Sequence, residues 1–403
     1  MDLNYALKKY FGYDKLKPEQ ERVVSSVLSG SDTIGLLPTG FGKSITFQLP
    51  AMLLDGITIV VSPLIALMQD QVINLRKKNI ESEYINSLQT LDEQNQVYEK
   101  LKAGRVKILY VSAERLLTNK FQYMMRNIKI DLFVCDEAHT LLWSEDFREA
   151  LGEIDKFVSK LKPRPRMLAL TATATDKTVD KIINILNLKN PNIITINCDR
   201  DNIFYRVINT SNKDRDLYFF LRNKKGIHVA IYCLTIKCVN HVYEFLKSKG
   251  FNVDKYYGSL DSSYKSLVLN NYKNNITDII VCTNAFGMGV DVPDIRYVIE
   301  YDLPQSLEDF LQQTGRASRD NKYGEGILFF NKNDIKTVEY FIESIENKKD
   351  IKEIKENRYQ KLDSVVKFAL SSKCLHNEIL SYFGIESKKK CNMCSNCNNE
   401  YKV

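Results

Sequence analysis

The sequence predicts an α/β protein with two tandem, doubly wound parallel-sheet domains, followed by a small helical unit with a metal-binding cysteine cluster. Three observations carry this. Short apolar runs rich in β-branched residues recur through the chain, apolar throughout rather than alternating, as strands buried on both faces are. Longer helical segments separate them, which is the pattern of parallel strands joined by crossovers. From about residue 331 the strand signal stops and charged helical text follows, as in NKKDIKEIKENRYQK at 347–361.

In chain order, the first domain offers TIGLL (33–37), ITIVVS (57–62), VKILYVS (106–112), DLFVCD (131–136) and MLALTA (167–172) as strands. The stretch NCDRDNIFYR (197–206) reads as the connection to a second set: HVAIYC (228–233), DIIVCT (278–283), RYVIEY (296–301) and GILFF (326–330). This places the domains at 1–200, 201–343 and 344–403. No repeat of fixed period interrupts the pattern.

The bulk numbers suit a globular chain: 403 residues, 44% apolar, 27% charged. A net charge of +7, from 57 Lys+Arg against 50 Asp+Glu, fits an anionic partner or a solvated surface about equally well. MDLNYALKKYFG at the N-terminus lacks a signal-peptide core, and ITIVV (57–61) is far too short to span a bilayer, so an intracellular protein without a membrane partner is expected. Cys135, Cys198, Cys233, Cys238 and Cys282 stand singly or inside apolar runs and read as small buried hydrophobes.

LLPTGFGKS (36–44) closes the first strand and nearly fits the phosphate-loop signature G-x-x-x-x-G-K-[ST]. Leu37 stands where the first glycine belongs. Gly40 and Gly42 let backbone N–H groups turn toward phosphate oxygens, and the helix that follows adds its partial positive charge. Lys43 is placed for the β- and γ-phosphates and Ser44 for Mg²⁺. About 90 residues later DLFVCDEAH (131–139) ends a strand in two acids: Asp136 to hold Mg²⁺, and Glu137 to orient and deprotonate an attacking water.

TLLWSEDFREAL (140–151) holds the only tryptophan, Trp143, with Phe147 and Arg148 nearby. At helical spacing these make a core stripe; among Ser144, Glu145 and Asp146 they suit stacking on unpaired bases. Ser62, Arg115 of SAER (112–115) and Thr283 follow strands, where hydroxyls and N–H groups can track a sugar-phosphate chain. Cys391, Cys394 and Cys397 at C-x-x-C-x-x-C spacing, with Cys374 upstream, suit a closed structural Zn²⁺ site; an iron–sulfur cluster is the competing occupant.

Taken together, PTGFGKS, DEAH, LTATAT (170–175) and QQTGRASRD (312–320) resemble the motor motifs of superfamily 2 helicases. VVSPLIALMQDQV (60–72), FGMGVDVP (286–293), TGRASRD and FGYDKLKPEQ (11–20) resemble the RecQ family of DNA helicases, over residues 5–398. The resemblance implies two RecA-like domains and the zinc subdomain. It implies Tyr13 and Lys17 flanking the adenine, Gln20 on its edge, and Thr39 within the phosphate loop. Lys17 stands where the family usually has arginine, and an ammonium does not stack flat on a base, which weakens the expected adenine selectivity. Gln313, Arg316 and Arg319 match catalytic positions of the second domain, with Arg319 as the finger on the γ-phosphate when the domains close. The loop carrying Trp143, Phe147 and Arg148 matches the family's DNA-sensing loop, with Glu145 replacing a common histidine.

The expectation is an ATP-dependent 3′→5′ helicase or translocase on single-stranded or forked DNA, in repair, recombination or replication, working in the nucleus or cytoplasm. An RNA helicase of DEAH type and a DNA-binding scaffold with a weak motor are the rivals. A chain ending soon after Cys397 reads as a minimal form, helicase core plus zinc subdomain, with strong unwinding less expected than translocation. Protein partners are not legible in it.

Overall fold

The structure is a computed structural model, described at residues 2–38, 41–63, 65–138, 154–172, 174–196, 200–286, 292, 294–346, 351–385 and 390–398, with backbone alone at 65–67. The chain divides into two compact units, Met1–Asn197 and Cys198–Val403.

The first unit is built on a seven-stranded sheet of β1 (Thr33–Leu36), β2 (Ile57–Val61), β3 (Ser82–Ile85), β4 (Ile108–Val111), β5 (Ile130–Cys135), β6 (Arg166–Thr171) and β7 (Asn192–Thr195). Its order is β3-β4-β2-β5-β6-β1-β7, with every pair parallel. Ile59, Val61, Phe133 and Cys135 enter one buried cluster, while Val60, Leu132 and Val134 enter a second. Successive side chains point to opposite faces, so two clusters per strand mean both faces are covered. That is why these strands read as unbroken apolar runs.

The second unit repeats the plan with six strands: β8 (Ile203–Asn209), β9 (Val229–Tyr232), β10 (Val253–Tyr256), β11 (Ile279–Cys282), β12 (Tyr297–Glu300) and β13 (Gly324–Phe330). They run parallel in the order β10-β11-β9-β12-β13-β8. Val229, Ile231, Ile279 and Val281 face one cluster, and Ala230, Tyr232, Ile280 and Cys282 the other.

Four strands escape a reading based on apolar runs: β3, β7, β8 and β10. These are the four edges of the two sheets. An edge strand pairs on one side only and tolerates polar, exposed side chains. β7 buries Ile194 alone of its four residues, and no residue of β10 is fully buried. In β3 the buried carboxylate of Glu83 is held by Arg76 at 2.5 Å and Lys100 at 2.6 Å. The connection expected over 197–206 is corrected accordingly, since residues 203–206 open β8.

The free edge of β8 is covered by the C-terminal cysteine loop. The Tyr205 N–H donates to the Met393 carbonyl at 3.1 Å and the Ser395 N–H donates back to Tyr205 at 2.9 Å, making Cys394 a one-residue strand extension. Helices Ile351–Leu370 and Leu375–Tyr382 pack behind it. Their Leu362, Val365, Phe368, Leu375 and Ile379 join the buried cluster of Tyr205, Phe310 and Leu328. These helices thus share a core with the second sheet. Among the described residues no helix is long and apolar enough to cross a membrane.

Candidate active site and metal centre

In a parallel sheet all strands end on one side, and ligand sites gather there. β1 hands over to the phosphate loop at that side. Leu37, fully buried, extends the strand, its N–H donating to the Thr171 carbonyl at 2.9 Å. The position where the common signature has glycine is therefore a core position here. Gly42 is the glycine the geometry requires. Its φ is +84°, and a Cβ would lie 2.7 Å from the Gln20 amide nitrogen. Ser44 precedes the helix Ile45–Leu53 and makes no capping bond with its hydroxyl. Thr39 and Gly40 lie outside the described residues.

The two acids sit at the end of β5. The Asp136 N–H donates to the Val61 carbonyl at 2.9 Å, which continues the β2 ladder by one residue. Glu137 then turns into the left-handed region with φ at 48°, an uncommon conformation for a non-glycine residue. The turn brings its Oε1 to 2.6 Å from the Lys43 Nζ, both side chains being only 12–14% exposed. Burial, and next the Glu137 carboxylate, push the Asp136 carboxyl above the usual range; the Lys43 ammonium works against them.

Gln20 ties the N-terminal segment to the loop. Its Oε1 accepts from the Lys17 N–H at 2.9 Å and its amide donates to the Phe41 carbonyl at 2.7 Å. The Lys17 ammonium lies 4.2 Å from the centre of the Phe41 ring, a cation–π contact that the sequence reading did not foresee. Tyr13 is 59% exposed. Ser62 is buried at the end of β2, Arg115 half-buried in the short helix Ala113–Leu116 after β4, and Thr283 half-buried after β11. Trp143, Phe147 and Arg148 lie outside the described residues.

In the second unit, Gln313 is buried against Asn284, 2.8 Å away, and the Glu300 carboxyl, 2.5 Å away. Burial, then Asp309 and Asp302, hold Glu300 well above the usual carboxylate range, with Arg316 opposing. Arg316 is buried and Arg319 half-buried. Two arginines missed in the sequence shape this loop. Arg200 donates to the carbonyls of Ala317 and Ser318 at 3.3 and 3.1 Å, and Arg296 donates to the Ser318 hydroxyl and the Asp320 carboxylate, each at 2.8 Å. Their signal was weak: single arginines in a linker and before a strand carry no motif.

Ligand atoms of Cys374, Cys391, Cys394 and Cys397 all lie within 4.8 Å of one another. Backbone N–H groups of Leu375 and Met393 donate to the sulfurs of Cys394 and Cys391 at 3.4 and 3.3 Å, which favours thiolate ligands. Four converging thiolates suit a tetrahedral Zn²⁺. His376 is a bystander: its Nε2 donates to the Met393 carbonyl at 3.1 Å and its ring packs 4.8 Å from that of Tyr205.

Comparison with known proteins agrees with this layout. The DEAD/DEAH box helicase family matches residues 17–182, the helicase conserved C-terminal domain 212–321, and the RecQ zinc-binding family 332–398. The "ATP-dependent DNA helicase RecQ" of Pasteurella multocida is 35% identical over 392 residues, covering 97% of this chain and 61% of that protein. The "Probable ATP-dependent DNA helicase RecS" of Bacillus subtilis is 39% identical over 347 residues, covering 85% and 69%. The chain thus spans about three-fifths of the Pasteurella relative's length. Among solved structures, S. cerevisiae Dbp5 bound to RNA and ADP BeF3 superposes with a TM-score of 0.67 at 19% identity, covering 89% of this chain and 97% of the chain in that structure, which speaks to the fold alone. Motor motifs on two parallel sheets, a four-thiol loop sealing the second, and relatives of this identity make the chain a member of the RecQ family of superfamily 2 helicases.

Proposed function

We propose that the chain is an ATP-dependent DNA helicase or translocase moving 3′→5′ on single-stranded DNA, inside the cell wherever that DNA lies. The observation that carries this is the Lys43–Glu137 pair, a phosphate-binding cation and a carboxylate base held 2.6 Å apart at the ligand edge of a parallel sheet. Both residues have roles only once a nucleoside triphosphate arrives: Lys43 on its β- and γ-phosphates, Glu137 on the attacking water. Ser44 and the half-buried Asp136 carry the oxygen ligands for Mg²⁺. That ion would neutralise charge building on the phosphates.

Tyr13, Lys17 and Gln20 take the adenine, and Thr39, Gly40 and Gly42 supply the loop backbone. Gln313, Arg316 and Arg319 complete hydrolysis from the second helicase domain, Arg319 as the finger. Arg200 and Arg296 set the loop that carries it. Ser62, Arg115 and Thr283 track the DNA backbone, and Trp143, Phe147 and Arg148 stack on bases and report them to the motor. The domain limits we favour are 1–200, 201–343 and 344–403, with structural Zn²⁺ on Cys374, Cys391, Cys394 and Cys397.

The deciding experiment compares ATPase rates with single-stranded DNA, forked DNA and single-stranded RNA. DNA is expected to stimulate hydrolysis; stimulation by RNA alone would overturn the substrate assignment.

A further inference from the structure

Away from the four-thiol centre, the second unit gathers another set of soft ligands. Cys233 follows β9, Asp302 follows its sheet neighbour β12, and Cys238 lies in the first turn of the helix Ile236–Ser248. One ligand atom from each lies within 4.8 Å of the other two. Two sulfurs bound to one tetrahedral Zn²⁺, at Zn–S bonds of about 2.3 Å, stand about 3.8 Å apart, so the trio needs little adjustment to share an ion.

The surroundings match those of a metal ligand set. Asp302 is already oriented: its Oδ2 accepts from the Leu234 N–H at 2.9 Å, and its Oδ1 lies 3.5 Å from the Lys213 Nζ. Lys213 is itself fixed by Asp334 at 2.8 Å and by the Tyr301 carbonyl at 2.5 Å. Such outer contacts hold a ligating carboxylate in place. Two thiolates, a carboxylate and a divalent cation sum to one negative charge, and the Lys213 ammonium, shared between Asp302 and Asp334, offsets part of it. Cys233 and Asp302 also line a cavity of about 10 Å³ with Asn284 and Leu303, at the lower limit of what one water needs. Three protein ligands leave the fourth position of a tetrahedral ion to water, an open coordination shell.

We propose that Cys233, Cys238 and Asp302 form a second soft-metal site, taking Zn²⁺ or Cd²⁺ with a water in the fourth position. Binding displaces the two thiol protons to solvent. The inference does not depend on the helicase reading, because none of the three residues is among those assigned to nucleotide or DNA.

The test uses the full chain, kept reduced, equilibrated with Cd²⁺ and desalted before metal analysis. The wild type is expected to retain two equivalents, with thiolate-to-cadmium absorption from both sites, and Cys238→Ser one equivalent. Asp302→Asn, which leaves both thiols intact, should weaken the second equivalent at least tenfold and leave the first unchanged. One equivalent in the wild type overturns the proposal, as do two tight equivalents in Cys238→Ser. Melting with and without Cd²⁺ guards against misfolding: a variant that keeps the first-site rise in Tm is folded, and its loss of the second equivalent then counts.

Discussion

The Lys43 ammonium is held by the Glu137 carboxylate at 2.6 Å. An arriving triphosphate must take the ammonium from that carboxylate. Glu137→Gln keeps the side-chain shape and removes the charge, so it should have opposite effects on binding and chemistry. A charge-assisted hydrogen bond contributes about 1.5–3 kcal/mol, and at 12–14% exposure little of this is screened. Removing the competitor should therefore tighten a non-hydrolysed ATP analogue by about 10- to 100-fold. Loss of the base should slow turnover by about 10²- to 10⁴-fold. Equilibrium titration with a fluorescent analogue and a steady-state ATPase assay read the two effects separately. Analogue binding that is unchanged or weaker would refute the competition argument, and undiminished turnover would remove Glu137 as the base.

Three further outcomes are expected. Trp143→Ala should keep basal hydrolysis while DNA stimulation falls, since each stacked base contributes about 1–3 kcal/mol; unaltered stimulation would end the sensing role. Stripping the zinc with a chelator should lower the Tm of the second unit and promote self-association, because the loop that seals β8 loses its anchor; light scattering and calorimetry check this, and an unchanged melt would contradict it. Hydrogen bonding from Arg296 lowers Asp320 to about 2, below the free value of about 3.9. A depressed carboxyl contributes stability that is present above the unfolded value and lost as pH falls through the folded one. Asp320→Asn should thus flatten the acid limb between roughly pH 4 and 2 in urea unfolding followed by circular dichroism, whereas a limb as steep as that of the wild type would argue against the clamp.

How much of this was legible depended on whether a residue's role is local. Strands buried on both faces announce themselves, because every residue must be apolar; β1, β2, β4, β5, β6, β9, β11, β12 and β13 were read on that ground. The edges were not, since Glu83 in β3 or Lys255 in β10 reads as loop until a partner strand is known. Gly42 and Lys43 were readable because a phosphate loop is a contiguous device. Arg200 and Arg296 were not, because they act on carbonyls and hydroxyls more than 20 residues away. The same limit hid the Cys233–Cys238–Asp302 group, whose third member comes from a different strand end.

The sequence by itself determined the fold class, the ligand edge and the four thiols, since periodicity and short motif spacings are set by backbone geometry. Leu37 shows the boundary. In sequence it is a departure from a signature; in the fold it is a fully buried residue extending β1. Only tertiary structure decided that Glu137 holds Lys43, that Phe41 occupies Lys17, and that Cys394 closes the edge of β8. Each of these joins chain segments more than 20 residues apart. Such contacts depend on which strands become neighbours, and strand order is settled by packing two faces at once, not by any one segment's residues.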